Sequence, residues 1–72
     1  METKLRLRKF SPIDREYPIY EIVVGDDVLF DVGRNDAGDF EFASHPASGG
    51  RVVPLLDIIT LMQEAKRMLA EG

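Results

Sequence analysis

Between residues 4 and 10 the chain reads KLRLRKF, with Leu5 and Leu7 alternating with Lys4, Arg6 and Arg8. A period of two marks a strand with one apolar face and one wet face, and it predicts a first strand over 4–10. Ser11 and Pro12 end it. Pro18 biases Tyr17 towards extended backbone, so the polar stretch up to Pro18 reads as a loop. Two runs rich in β-branched residues follow, YEIVV (20–24) and VLFDV (28–32), with GDD between their flanks. A Gly-Asp pair in that place signals a tight antiparallel hairpin. Tyr20, Ile22 and Val24 share one face of the first run. Plain alternation puts Val28, Phe30 and Val32 together in the second and turns Asp31 away from them. GRNDAGD then supplies Gly33, Asn35 and Gly38, which tolerate positive φ, and DFEFA (39–43) alternates once more. A second hairpin and a fourth strand are expected there.

From Pro54 the period lengthens. At 100° per residue Leu55, Ile58, Ile59, Leu61, Met62, Ala65, Met68 and Leu69 fall on about half the wheel. Asp57, Thr60, Gln63, Glu64, Arg67 and Glu71 fill the other half. The pattern predicts an amphipathic helix of about four turns. Pro54 suits its first turn; Asp57 lies near the positive end of the helix dipole, and Lys66 and Arg67 near the negative end. Gly72 comes too late to define a C-cap, and Met62 and Met68 read as core filling. Sequential strands most simply form a meander, with the helix over one face. The expected fold is therefore α+β: one domain over residues 1–72, a four-stranded antiparallel meander with one C-terminal amphipathic helix packed on one face. Arg6, Arg8, Glu21, Asp31 and Glu41 should make up the opposite, polar face.

Composition changes the picture in one respect. A chain of 72 residues buries only about 60% of the surface that it exposes when unfolded, and domains this small usually add disulfides, a metal or a partner subunit. There is no Cys, and His45 is the single His, so no metal or other cofactor is expected. A partner subunit is what remains, and the apolar stripe of the helix is wider than one sheet face requires. A homodimer is the expectation. Hydrophobic residues make up 44% of the chain, which excludes disorder. No apolar run approaches the roughly 20 residues that span a bilayer, and no secretory h-region follows Met1. A cytoplasmic protein without a membrane role is expected.

Charge is segregated along the chain. Residues 1–15 carry Lys4, Arg6, Arg8, Lys9 and Arg15 against Glu2 and Asp14, a net +3. Residues 16–50 carry Arg34 against eight carboxylates, a net −7, within a total of −4. Pairing of a basic strand with acidic neighbours in one sheet accounts for part of this. The remainder makes Asp26, Asp27, Asp36 and Asp39, at the two hairpin turns, a candidate surface for a basic protein partner. The acidic balance, a pI near 4.8 and the lack of aromatics among the basic residues argue against nucleic acid.

SHPASGGRVVP (44–54) holds the remaining candidate chemistry. Ser44, Ser48 and His45 nominally offer a nucleophile and a base, but a working pair needs an orienting group and an oxyanion site, which one short loop rarely supplies. No enzymatic activity is expected. Gly49, Gly50 and Arg51 before a helix suggest an anion cradle, with His45 as a fourth ligand-binding residue. Val52, Val53 and Pro54 intervene, and the Gly-Lys-Ser/Thr ending of a phosphate loop is missing. The economical reading is a connection in which the Gly pair reverses the chain, His45 is at least partly exposed and Arg51 pairs with a nearby carboxylate. NDAGDFE matches a calcium loop in composition only, since the residues one, three and five places before Gly38 are Ala37, Asn35 and Gly33.

In size and charge, though in no motif, the chain resembles bacterial antitoxins and immunity proteins. The leading expectation is a small non-enzymatic protein–protein interaction module, homodimeric, whose functional surface is a sheet edge, the excess apolar face of the helix or the acidic hairpins, the last suited to a basic partner. The alternative is an anion- or small-ligand-binding domain using the 44–54 loop, which requires a concavity bordered by His45 and Arg51.

Overall fold

The computed structural model describes residues 4–14 and 16–71. Glu2 and Arg15, counted in the basic stretch, and Gly72 lie outside the described residues. Strands β1 (Leu5–Phe10), β2 (Ile19–Val24), β3 (Asp27–Arg34) and β4 (Phe40–Ser44) precede a 3₁₀ turn (Pro46–Ser48) and one helix, α1 (Leu55–Glu71). The sheet is antiparallel in the order β1-β2-β3-β4, the α+β meander that the alternation predicts.

Both hairpins follow from turn chemistry. Val24 pairs with Asp27 across a two-residue loop in which Gly25 has φ 58° and Asp26 has negative φ. That combination of signs is a II′ turn, whose twist matches the strands it joins. At the other end of β3, the Asn35 side-chain oxygen accepts from the N–H groups of Ala37 and Asp39, both at 3.0 Å, and Gly38 has φ 88°. The Asn thus serves as an internal turn template.

β3 departs from plain alternation. Ile22 pairs with Phe30 but Val23 pairs with Val28, so Leu29 is an extra residue, a β-bulge. Val28 consequently lies on the opposite face from Phe30 and Val32, not with them, because Val23 and Ile22 point to opposite faces. Leu29 takes the core position instead and is fully buried. The core joins Leu5, Tyr20, Ile22, Val24, Leu29 and Val32 of the sheet to Ala65 and Leu69 of α1, with Ile58, Leu61, Met62 and Met68 half-buried around them. Each fully buried aliphatic side chain stabilises the fold by about 1.5–3 kcal/mol.

The second face is less polar than its charges suggest. Arg8 Nη2 lies 2.7 Å from Glu21 Oε1, its register partner, and Arg6 donates to Gly25 O at 3.0 Å. Val23, opposite Arg6, is fully buried there, and Ile19 is nearly so. Their register partners in β1 on that face are Arg6 and Phe10.

Candidate functional site

The 44–54 loop is held together from within. His45 N–H donates to Leu29 O, Ser48 N–H to His45 O, Gly49 N–H to Pro46 O and Arg51 N–H to Ser48 O, all at 2.9–3.1 Å. Ser48 Oγ also donates to His45 O, at 2.8 Å, so its hydroxyl serves the backbone and not the imidazole. His45 Nε2 lies 2.8 Å from Asp31 Oδ2, and Arg51 Nη2 lies 2.9 Å from Asp27 Oδ2. Gly50 reverses the chain at φ 73°, whereas Gly49 has φ −62° and is small because a Cβ there would come within 3.3 Å of Pro46 O. The four candidate ligand residues therefore do not converge. Three loop N–H groups are engaged inside the loop, and the His45 and Arg51 side chains each face a carboxylate.

Concavities lie elsewhere. One of about 300 Å³ is lined by Ile19, Asp31, Gly33, Glu41, Phe42 and Ala43; a second by Asp14, Glu16, Tyr17, Arg34, Asn35 and Asp36; a third by Lys4, Leu5, Asp57, Thr60 and Leu61. None of the three is bordered by His45, Gly49, Gly50 or Arg51. Asp31 and Glu41 share the first but are not cross-strand partners, since Asp31 pairs with Ala43 and Glu41 with Gly33. Among the described residues no group of three or more His, Cys, Asp or Glu is placed to hold a metal ion, and no helix is long and apolar enough to cross a membrane.

The four aspartates of the expected acidic surface are likewise divided. Asp26 and Asp27 sit at the β2–β3 turn, and Asp36 and Asp39 at the β3–β4 turn. The eight residues of β3 separate them by roughly 25 Å. Asp27 is already paired with Arg51. They form two small patches at opposite ends of the sheet.

The feature that alternation did not single out is β4. It is an outer strand, and all five of its residues are exposed, Phe42 to 60%. α1 packs on β1, β2 and β3 through the line containing Ile58, Ala65 and Leu69, which leaves a second line of its stripe towards β4. Leu55, Ile59, Met62 and Lys66 recur at four, three and four residues and so share that line. The Lys66 ammonium lies 5.6 Å from the centre of the Phe40 ring, which fixes the line beside β4. Leu55 is 70% and Ile59 42% exposed on it. Phe42 touches only the edge of this arrangement, in a T-shaped contact with Phe30 at 6.1 Å.

The backbone of β4 is open as well. Asn35 N–H donates to Asp39 O and His45 N–H to Leu29 O, and both pairs continue the β3–β4 register on either side. Bonded and non-bonded pairs alternate in an antiparallel ladder. Gly33–Glu41 and Asp31–Ala43 are then the bonded pairs inside it, so the N–H and C=O groups of Phe40, Phe42 and Ser44 point away from β3. At the other edge, β1 carries Arg6, Arg8 and Lys9, with Lys4 just before it, the charges that protect an edge from adventitious pairing. β4 has only Glu41 between two exposed Phe rings.

Against known proteins, the chain matches no family model, and no curated protein or solved structure matches it.

Proposed function

We propose that this protein is a small non-enzymatic protein–protein interaction module, homodimeric and acting in the cytoplasm, which docks by strand addition at β4 with the Leu55–Ile59 line of α1 as an apolar flank. The observation that carries this reading is the exposed outer strand β4, where Phe42 is 60% exposed and the backbone groups of Phe40, Phe42 and Ser44 point away from β3. Strand addition uses such an edge for affinity and the alternating side chains beside it for specificity. The expected acidic surface gives way to this edge because its four aspartates are split between two turns.

The test compares wild type with Phe42→Asp and Ile59→Asp, using Lys9→Asp on the guarded edge as control. Self-association is read by light scattering, and association with host proteins by affinity capture. The reading expects associations that persist in the control and vanish in the two β4-side variants while both variants still unfold cooperatively. Associations indifferent to both substitutions, or no association of any kind, overturn it.

A further inference from the structure

We infer that the occupant of the β4 edge is a second copy of this chain, joined strand to strand, with β4 antiparallel to its counterpart about a two-fold axis at Phe42. The inference rests on the docking reading above and adds the partner and the register.

The edge is self-complementary in its hydrogen bonds. Phe40, Phe42 and Ser44 present their N–H and C=O groups outward, as the β3–β4 register requires. A two-fold axis at Phe42 sets Phe42 opposite Phe42 of the second copy and Phe40 opposite Ser44 of the second copy. Each of these is a pair of outward-facing residues, so every one of those groups meets a partner. A register shifted by one residue would bring inward-facing groups to the seam.

Side chains agree with this register. The axis keeps both helices on one face of a continuous eight-stranded sheet. On that face Phe40, Phe42 and the Leu55–Ile59 line meet their counterparts. On the other face Glu41 is set opposite Ala43, a small neutral residue, and no like charges stand directly opposed. A standard interface buries about 800 Å² per partner, about a sixth of the 5149 Å² that this chain exposes. Two Phe side chains, Leu55, Ile59 and a five-residue strand form the apolar centre of such a patch. The small core, formed without any cysteine, is the other reason to expect a second copy.

Electrostatics distinguishes this occupant from a basic one. The two Glu41 residues become diagonal neighbours about 7–8 Å apart between Cα atoms, and each copy brings a net charge of −4. Salt screens that repulsion. The dimer should hold or tighten as salt rises, whereas a basic partner would be lost.

The experiment uses the absence of native cysteine. Single variants Glu41→Cys and Ala43→Cys are oxidised alone and as a mixture. At this register the two positions face each other as a non-bonded pair about 4.5 Å apart between Cα atoms, within disulfide reach, while two copies of Glu41→Cys are not. A cross-linked species from the mixture, with little from Glu41→Cys alone, is expected. Sedimentation should show a dimer that Phe42→Asp weakens at least about tenfold. Ser44→Pro should weaken it too, since its proline removes an outward N–H that β3 does not use. Melting checks that both variants fold, and amide exchange should slow at Phe40, Phe42 and Ser44 as wild-type concentration rises. A chain monomeric at every concentration, a dimer that salt dissolves, or equal cross-linking by Glu41→Cys alone overturns the inference. If the chain is monomeric but still binds another protein in a Phe42-dependent way, only the second-copy inference fails. A dimer that survives Phe42→Asp and Ile59→Asp removes the docking reading as well.

Discussion

His45 and Asp31 lie 14 residues apart in sequence, and only the β3–β4 register brings them together at 2.8 Å. Asp31 Oδ1 is buried without a hydrogen-bond partner, so Oδ2 and His45 carry the accommodation of that carboxylate. Removing the imidazole leaves a half-buried carboxylate with neither oxygen satisfied by the protein. His45→Ala should destabilise the fold by about 1 kcal/mol, read from the urea midpoint. Arg51 is held differently, by an exposed ion pair to Asp27 and a 3.3 Å hydrogen bond to Ala47 O. Such pairs contribute about 0–1 kcal/mol, and Arg51→Ala should stay within that range. Because the N–H groups of Ser48, Gly49 and Arg51 already donate to carbonyl groups of the loop, millimolar phosphate should leave the melting temperature of wild type and Arg51→Ala unchanged. A rise confined to wild type would restore the anion cradle. The loop's role as a connection was legible in its Gly and Pro residues. The partners of His45 and Arg51 were not, because a pairing across strands depends on register.

At the level of elements, period and turn chemistry placed four strands and the helix close to their observed bounds, since each is bracketed by Gly, Pro or Asn turns. The bulge in β3 escaped that reading because VLFDV alternates plainly with Val28, Phe30 and Val32 on one face, and nothing within the run marks Leu29 as an extra residue. Pairing with β2 decides for Leu29. Leu29→Ala should therefore cost about 2–5 kcal/mol, while Val28→Ala, at a half-buried site on the other face, should cost less than about 1.5 kcal/mol. Equal losses, or the reverse order, in denaturant titrations would mean that the strand keeps plain alternation. The helix shows the same limit. Its wheel marked eight apolar positions, but the choice of Ala65 and Leu69 for the core, and of Leu55 and Ile59 for exposure, depends on where the helix crosses the sheet. That crossing leaves β4 bare, and no pattern within β4 itself distinguishes a covered FEF from an open one.

For the whole molecule the question is what stabilises so small a fold. Its fully buried large side chains are Ile22, Leu29 and Val23. One helix over one face of a four-stranded sheet gives a core so small that the stability of a single copy is marginal. If a second copy covers β4, association and folding are linked by mass action, and the dimer's melting temperature must rise with protein concentration. For a domain of this size, a tenfold increase in concentration should raise the melting temperature by roughly 3–5 °C. Phe42→Asp should melt lower and at a temperature independent of concentration, because its unfolding no longer includes dissociation. Added salt should leave the wild-type slope intact, since the seam is built from backbone groups and apolar side chains and its nearest like charges are the two Glu41 carboxylates. Calorimetric scans across two decades of concentration, for both proteins, decide the matter. A wild-type melting temperature that does not move with concentration would mean that the single copy is stable by itself, and that β4 is left open for a partner of another kind.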